Sequence, residues 1–350
     1  MQNAVDLVNM SICPRVRVVV VNWNSRDLLS ACLASLHRQT YTDFQVIVVD
    51  NGSSDGSVDF VREHFQHTDF IGLPENQGFS RASNAGIERA RAEYIAMLNN
   101  DAEADPEWLG ELVAALQANP EVDFCASKMV LHRQRDLADA CGDFYTVEGI
   151  PGKIGHLEPA DWHNKPREVF GACAGAAIYR LSILEELGGF DEDFFIVYED
   201  SDLSFRAQLM GYRCLYVPSA VVYHHLSATI GQESDTAAYY AQRNMEFVFF
   251  KNMPTALLLK YLPLHLIADL FLLVRYLRKG QARMYLKAKL DAMAMLQGML
   301  RKRRQIQRAR RVTATEIERL LVRGWLCQKL GQRLPTRLRT PTAGREEQRH

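Results

Sequence analysis

The sequence predicts an α/β fold: a doubly wound, mostly parallel sheet flanked by helices, extended by a C-terminal helical region of membrane-associating character. Three observations carry this prediction. The β-branched runs Val16–Asn22 (VRVVVVN) and Phe44–Val49 are continuously apolar, as strands buried on both faces of a parallel sheet must be. Helical patterns alternate with such runs, which is the order a parallel sheet requires. Far downstream, Ala256–Leu277 (ALLLKYLPLHLIADLFLLVRYL) is apolar at bilayer length but interrupted by Lys260, Pro263, His265, Asp269 and Arg275, groups a spanning helix avoids.

The elements follow in order. Val16–Asn22 leads through Asn24-Ser25-Arg26-Asp27 into a helical pattern reaching about Arg38. Phe44–Val49 ends in the turn-forming run Asp50-Asn51-Gly52-Ser53-Ser54-Asp55-Gly56. Helix Ser57–His64, strand Phe70–Leu73, helix Ser80–Arg91, strand Tyr94–Leu98, helix Pro106–Ala118 and strand Val122–Ser127 continue the alternation. Between Leu131 and Glu168 the chain is polar, Gly/Pro-punctuated and weakly periodic, which predicts an irregular excursion over the ligand-binding end of the sheet, a place for acceptor contacts or a lid. Regular structure resumes with strand Gly175–Arg180, helix Ser182–Leu187, a helix opened by an acid cluster and running to about Met210, and strands Cys214–Val217 and Ala220–Tyr223.

At 350 residues, with 47% hydrophobic and 24% charged content, the chain can bury one large core and carry an accessory region. Its formal net charge of −1 hides an asymmetry, because from Arg275 onward 21 Lys and Arg stand against 5 Asp and Glu. A basic tail on an acidic body suits an anionic partner. Nucleic acid is disfavoured, since no aromatic side chains are interleaved with Arg301–Arg311 for base stacking. The helical spacing of Ala256–Leu277, with Arg301-Lys302-Arg303-Arg304 beyond it, suits an interfacial helix on anionic lipid; packing on the preceding domain or on a dimer partner is the equal alternative. The seven cysteines show no CxxC pairing or zinc spacing, and Met1–Pro14 lacks a basic start before an apolar run. Both predict thiols in a reducing cytoplasm.

Four groups of residues carry chemistry. Val197–Arg206 (VYEDSDLSFR) sets Glu199, Asp200 and Asp202 in a first helical turn beside apolar residues, where acids cap free N–H groups or act as bases. Asp50 closes a buried strand, and its carboxylate suits either an Asx turn or a nucleobase N–H or ribose hydroxyl. Asn76-Gln77-Gly78-Phe79 lets the backbone approach a ligand, with Asn84 in the next helix. Asn99-Asn100-Asp101 follows a strand, where Asp101 is placed to hold Mg²⁺ or Mn²⁺ against a diphosphate, with His224 or His225 as the second protein ligand.

In their order and spacing, VVVVNWN, VVDNGSSDGS, ENQGFSRASNAG, MLNNDA, GGFDEDFFIVYEDSDLSFR and VYHHLSAT resemble the family 2 inverting glycosyltransferases of the GT-A fold, most closely the bacterial rhamnosyltransferase-like branch, over about Arg15 to Asn252. The resemblance implies that Asp200 is the general base, with Glu199, Asp202 and Arg206 in support. It implies that Asp50 meets the base of a nucleotide sugar, in a donor site shared with Asn22, Asn24, Asn51, Asn76, Gly78, Phe79, Asn84, Asn99 and Asn100. Asp101 takes the metal-binding DXD-type position and His224 matches a late histidine at the metal or diphosphate; Asn99 replaces the first Asp of the motif. Arg243, in YAQRN, is placed to meet phosphate.

The expected activity is transfer of a sugar, rhamnose from dTDP-rhamnose or a UDP-sugar, to a lipid-linked or polysaccharide acceptor at the inner face of the membrane. A non-catalytic nucleotide-sugar-binding protein is the alternative. The expected organisation is an extension over 1–14, a catalytic domain over 15–252 (nucleotide-binding half 15–127, acceptor half 128–252), a basic helical region over 253–335 and a disordered tail over 336–350.

Overall fold

The β-branched runs of the N-terminal half pair with one another in parallel. In the computed structural model, which describes residues 13–225 and 234–325, β1 (Val16–Asn22) lies between β2 (Phe44–Asp50) and β4 (Tyr94–Leu98), and β3 (Asp69–Gly72) adds outside β2. All of these pairs are parallel, so their carboxyl ends face one way. The extension and tail expected at 1–14 and 336–350 lie almost wholly outside the described residues, as does the LSAT end of the last motif.

The second half makes the sheet mixed. β11 (Ala176–Arg180) runs antiparallel between β4 and β6 (Phe124–Leu131), while β12 (Cys214–His224) returns parallel to β6. β5 (Ala102–Ala104) pairs antiparallel with the end of β12, carrying the chain after Asp101 against His224. Helices α1 (Arg26–His37) and α4 (Trp108–Ala118) cover one face through Leu29, Leu33, Leu36, Leu109 and Leu112. The other face is covered by α3 (Gly78–Arg89), α5 (Leu181–Leu187) and α6 (Glu199–Met210). A Cβ on Gly86 would stand 2.5 Å from Val19 Cγ1, so that glycine sets how closely α3 lies on β1. The remaining N-terminal helix, α2 (Ser57–His64), matches its predicted bounds.

The stretch expected to be irregular is ordered. β7 (Gln134–Ala140) pairs antiparallel with β6 through two register shifts, β8 (Asp143–Tyr145) and β9 (Pro151–Lys153) form a two-stranded ribbon, and β10 (Arg167–Val169) closes the sheet edge on β12. β8, β9 and β10 are three residues long, and β7 meets β6 only through two register shifts. Periodicity over three residues carries no signal, which is why they read as loop.

Four helices complete the described chain: α7 (Asp235–Asn252), α8 (Thr255–Arg278), α9 (Ala282–Ala309) and α10 (Ala314–Leu320). α8 is apolar and long enough to cross a membrane by composition, yet it packs one stripe, Leu257, Tyr261, His265, Ala268 and Leu272, into the protein. Leu259, Leu266, Ile267, Leu270 and Leu277 are each more than half exposed on its other sides. The two expected roles of this helix thus fall on different faces of it. The basic run is also divided: Lys302 pairs with Asp191 and Asp193, and Arg303 donates to the carbonyls of Phe250 and Met253, while Arg301 and Arg304 are exposed.

Candidate functional site

At the carboxyl ends of β1, β2 and β4 the polar side chains are cross-braced. Asn22 Nδ2 donates to Asp50 Oδ1 (3.1 Å) and its Oδ1 accepts from Asn100 Nδ2 (2.9 Å), joining three strand ends. The Ser53 amide, three residues on, donates to Asp50 Oδ2, so the carboxylate braces the turn after β2 without closing the two-residue Asx turn read as its alternative. Asn24 Oδ1 accepts from the Ser54 amide. Asn51 Nδ2 donates to Asn76 Oδ1 and its Oδ1 accepts from the Gln77 amide, which fixes the turn into α3. Gly78, at φ +86°, is required there, because a Cβ would meet Phe195 at 2.6 Å. Phe79 packs edge-on to Phe190. Asn84 instead grips the Phe190 backbone through both its amide atoms and, with Arg206 and Lys302, lines an open cavity of about 830 Å³.

Asp101 and His224 meet where β5 pairs with β12. His224 Nε2 lies 3.1 Å from Asp101 Oδ1, and its Nδ1 lies 2.9 Å from Oδ2 of Asp139. Asp139 is fully buried and also takes Lys153 and His156. Burial opposes a charge on His224, but the hydrogen bonds and charges of Asp101 and Asp139 outweigh it and raise its pKa to about 9. Burial would likewise raise the Asp139 carboxyl; its bonds to His156 and His224 and the Lys153 charge hold it far below the ordinary range. His225 points elsewhere, its Nε2 3.1 Å from Glu103 Oε1. Asp139 escaped the sequence reading because it sits in the stretch expected to be irregular, where the residues around it, Leu137, Ala138, Ala140 and Cys141, show no strand alternation.

The acid cluster opens α6 after an unusual loop. Phe195, Val197 and Tyr198 all have positive φ (64°, 69° and 68°), a conformation that costs about 1–3 kcal/mol each in non-glycine residues. The loop is held from α7: Asn244 Nδ2 lies 2.9, 2.8 and 2.7 Å from the carbonyls of Phe194, Ile196 and Val197. Arg243 donates to the carbonyls of Asp193 and Phe194 and to Asn244 Oδ1, so its guanidinium is committed to this loop and not directed at a phosphate.

Beyond the loop the acids have distinct surroundings. Asp200 is half-buried, with the Ala174 amide 3.2 Å from Oδ2 and the Ser201 amide 2.7 Å from Oδ1. The carbonyl of the next residue, Gly175, accepts from the Asn99 amide, which ties Asp200 to the Asn99–Asp101 turn. Asp202 is fully buried and pairs with Arg206 (2.8 Å) and Lys251 (2.6 Å); Arg206 also donates to the Leu187 and Gly189 carbonyls. Both therefore hold α6 against its surroundings. Burial, and then the Asp200 charge, push the Glu199 and Asp143 carboxyls well above the ordinary range.

Residues 17–188, just under half of the chain, match the model of glycosyl transferase family 2. Asp50 and Asp101 lie inside the match; Asp200 and His224 lie beyond its end. Among relatives, the O-antigen biosynthesis protein RfbC of Myxococcus xanthus is 29% identical over 62% of this chain and 18% of its own length. The poly-beta-1,6-N-acetyl-D-glucosamine synthase of Staphylococcus aureus is 23% identical over 74% of this chain and 61% of its own. The chain therefore spans less than two thirds of these relatives. A solved structure, the mannosyltransferase PcManGT from Pyrobaculum calidifontis in complex with GDP-Man and Mn²⁺, aligns with a TM-score of 0.52 over 85% of this chain and 86% of that one, at 20% identity. That likeness establishes the GT-A architecture.

Proposed function

We propose that the protein is an inverting, divalent-metal-dependent glycosyltransferase that moves a sugar from a nucleotide donor to a lipid-linked or polysaccharide acceptor. The observation that carries the reading is the convergence of Asp50, the Asp101–His224 pair and Asp200 at one end of the sheet. Asp50, oriented by Asn22, supplies the acceptor for the base or ribose. Asp101 and His224 fit a divalent cation, because one carboxylate and one imidazole face each other at 3.1 Å while Asp139 fixes the imidazole from behind. When bound, Mn²⁺ or Mg²⁺ would neutralise charge on the departing diphosphate.

Inversion needs one base on the face of the sugar opposite the leaving group and no covalent intermediate. Asp200 serves: its carboxylate takes the acceptor hydroxyl proton as that oxygen forms a bond to C1, and the C1–O bond to the nucleoside diphosphate breaks. Glu199 packs beside this base, its carboxyl pushed well above the ordinary range by burial and then by the Asp200 charge.

Rhamnose from dTDP-rhamnose is the donor favoured by motif resemblance, followed by UDP-sugars. Bacterial surface polysaccharide is the acceptor class suggested by the O-antigen and poly-N-acetylglucosamine relatives. The exposed leucine face of α8 supports a peripheral position on an anionic membrane, whose inner face is the side the sequence reading favours.

A thermal-shift screen of dTDP-, UDP- and GDP-sugars with and without Mn²⁺ tests the donor, since a ligand that binds the folded state raises Tm. Asp200→Asn should retain nucleotide binding and lose about 10²–10⁴-fold in transfer rate. Absence of any nucleotide-sugar binding, with Asp101→Ala indistinguishable from wild type, would overturn the reading.

A further inference from the structure

On the face of the β5–β12 pair opposite His224, three side chains converge. Glu103 Oε1 lies 3.1 Å from His225 Nε2 and 3.1 Å from His132 Nε2. The two imidazoles stack with ring centroids 3.8 Å apart at 20°. Among the described residues this is the only group of three His, Cys, Asp or Glu side chains whose donor atoms all lie within 4.8 Å of one another. We propose that Glu103, His132 and His225 form a second metal site, of the zinc class, separate from the donor-metal pair at Asp101 and His224.

The donor set and its scaffold both point there. Two imidazole nitrogens and one carboxylate oxygen suit Zn²⁺, Co²⁺ or Ni²⁺, whereas Mg²⁺ and Mn²⁺ favour oxygen-rich sites. Three protein ligands leave a fourth position for water, and the side chains are accessible to it, at 24%, 27% and 22% exposed for Glu103, His132 and His225. The site is held by backbone contacts independent of the side chains. Tyr223 pairs with Glu103 in the β5–β12 ladder, the His132 amide donates to the His224 carbonyl (2.8 Å), and the His225 amide donates to the Asp101 carbonyl (2.8 Å).

The same backbone bonds couple the two sites. A cation at Glu103, His132 and His225 pins β5, the β6–β7 turn and the end of β12, which together position Asp101 and His224. The site is thus a clamp that stiffens the donor-metal pair from the opposite face.

Cobalt reports this directly, because Co²⁺ in a four- or five-coordinate histidine site absorbs visible light strongly and an octahedral oxygen-rich site does not. The full chain, stripped by chelator and titrated with Co²⁺ without any nucleotide sugar, should develop bands saturating at one equivalent and bleached by Zn²⁺, with a Tm rise on Zn²⁺. His132→Ala, His132→Gln and Glu103→Gln should each weaken Co²⁺ binding by about tenfold or more while keeping the metal-free Tm, and Asp101→Ala should keep the bands. Absence of bands and of a Tm rise in wild type overturns the proposal. So does survival of the bands in all three site variants, or their loss in Asp101→Ala. Because no donor is present, either outcome leaves the glycosyltransferase reading to its own test.

Discussion

His224 and His225 are neighbours in the chain and opposites in the structure. His224 is buried between two carboxylates, Asp101 and Asp139, and is held as the imidazolium in the metal-free protein. His225 is about a fifth exposed, stacks on a second histidine and shares a single carboxylate with it. One step along a strand reverses the face, and the face decides the number of carboxylates and the dielectric. The lesson is that what a histidine can do here follows from strand register more than from the motif in which it stands.

The comparison is broken most severely at Asp139. Replacing it with Ala removes a partner of buried His224, and of the partly exposed Lys153 and His156, and should cost about 3 kcal/mol in urea unfolding, because His224 is left facing an uncompensated buried gap. The isosteric Asp139→Asn keeps the packing and should weaken Mn²⁺ binding about 10–100-fold, read by titration calorimetry, as loss of a ligand's outer partner does. If Asp139→Asn binds Mn²⁺ like wild type, His224 does not depend on its buried partner.

Acidity sharpens the same contrast. Below pH 6.5 the folded and unfolded chains both carry the His224 proton, and its stabilisation is fully present; as pH rises from 6.5 to about 9 only the folded chain keeps it, so that stabilisation declines and is gone above about 9. Metal-free protein should therefore lose Tm across that window, and Mn²⁺ affinity should rise through it as the competing proton leaves. A flat profile in His224→Gln would assign the effect. The smallest change is expected from His225→Ala in metal-free protein, within about 1 kcal/mol, since a partly exposed pair contributes little.

Much of this arrangement was legible in the sequence, and the remainder was hidden for identifiable reasons. β1, β2 and β4 announced themselves because a run such as Val16–Asn22 is buried along nearly all its length and needs no partner to be recognised. Asp50 and Asp101 stood out by position, each at the end of a strand, whereas Asp200 was separated from its acidic neighbours only by the motif resemblance. Asp139 did not, because β7 begins with exposed Gln134, Arg135 and Asp136 and becomes a strand only through its irregular pairing with β6. Nor was His224 separable from His225, since the register of β12 shifts between Val217 and Val221 and that shift decides which histidine turns inward. Arg243 looked like a phosphate ligand because a sequence shows a cation and not the carbonyls it serves.

The loop ahead of Asp200 bears on how such enzymes can be taken apart. Its three left-handed residues are kept in place by Asn244 and Arg243, which stand in the chain after the base they steady and well after the family match ends at residue 188. A fragment cut at that boundary keeps Asp50 and Asp101 and forfeits both Asp200 and the brace of its loop. The helices after Asn252 are not separable from that loop either, because Lys302 of α9 pairs with Asp191 and Asp193 just ahead of it and Arg303 donates to the Phe250 and Met253 carbonyls, so a chain ended at Asn252 loosens the segment that carries Asp200.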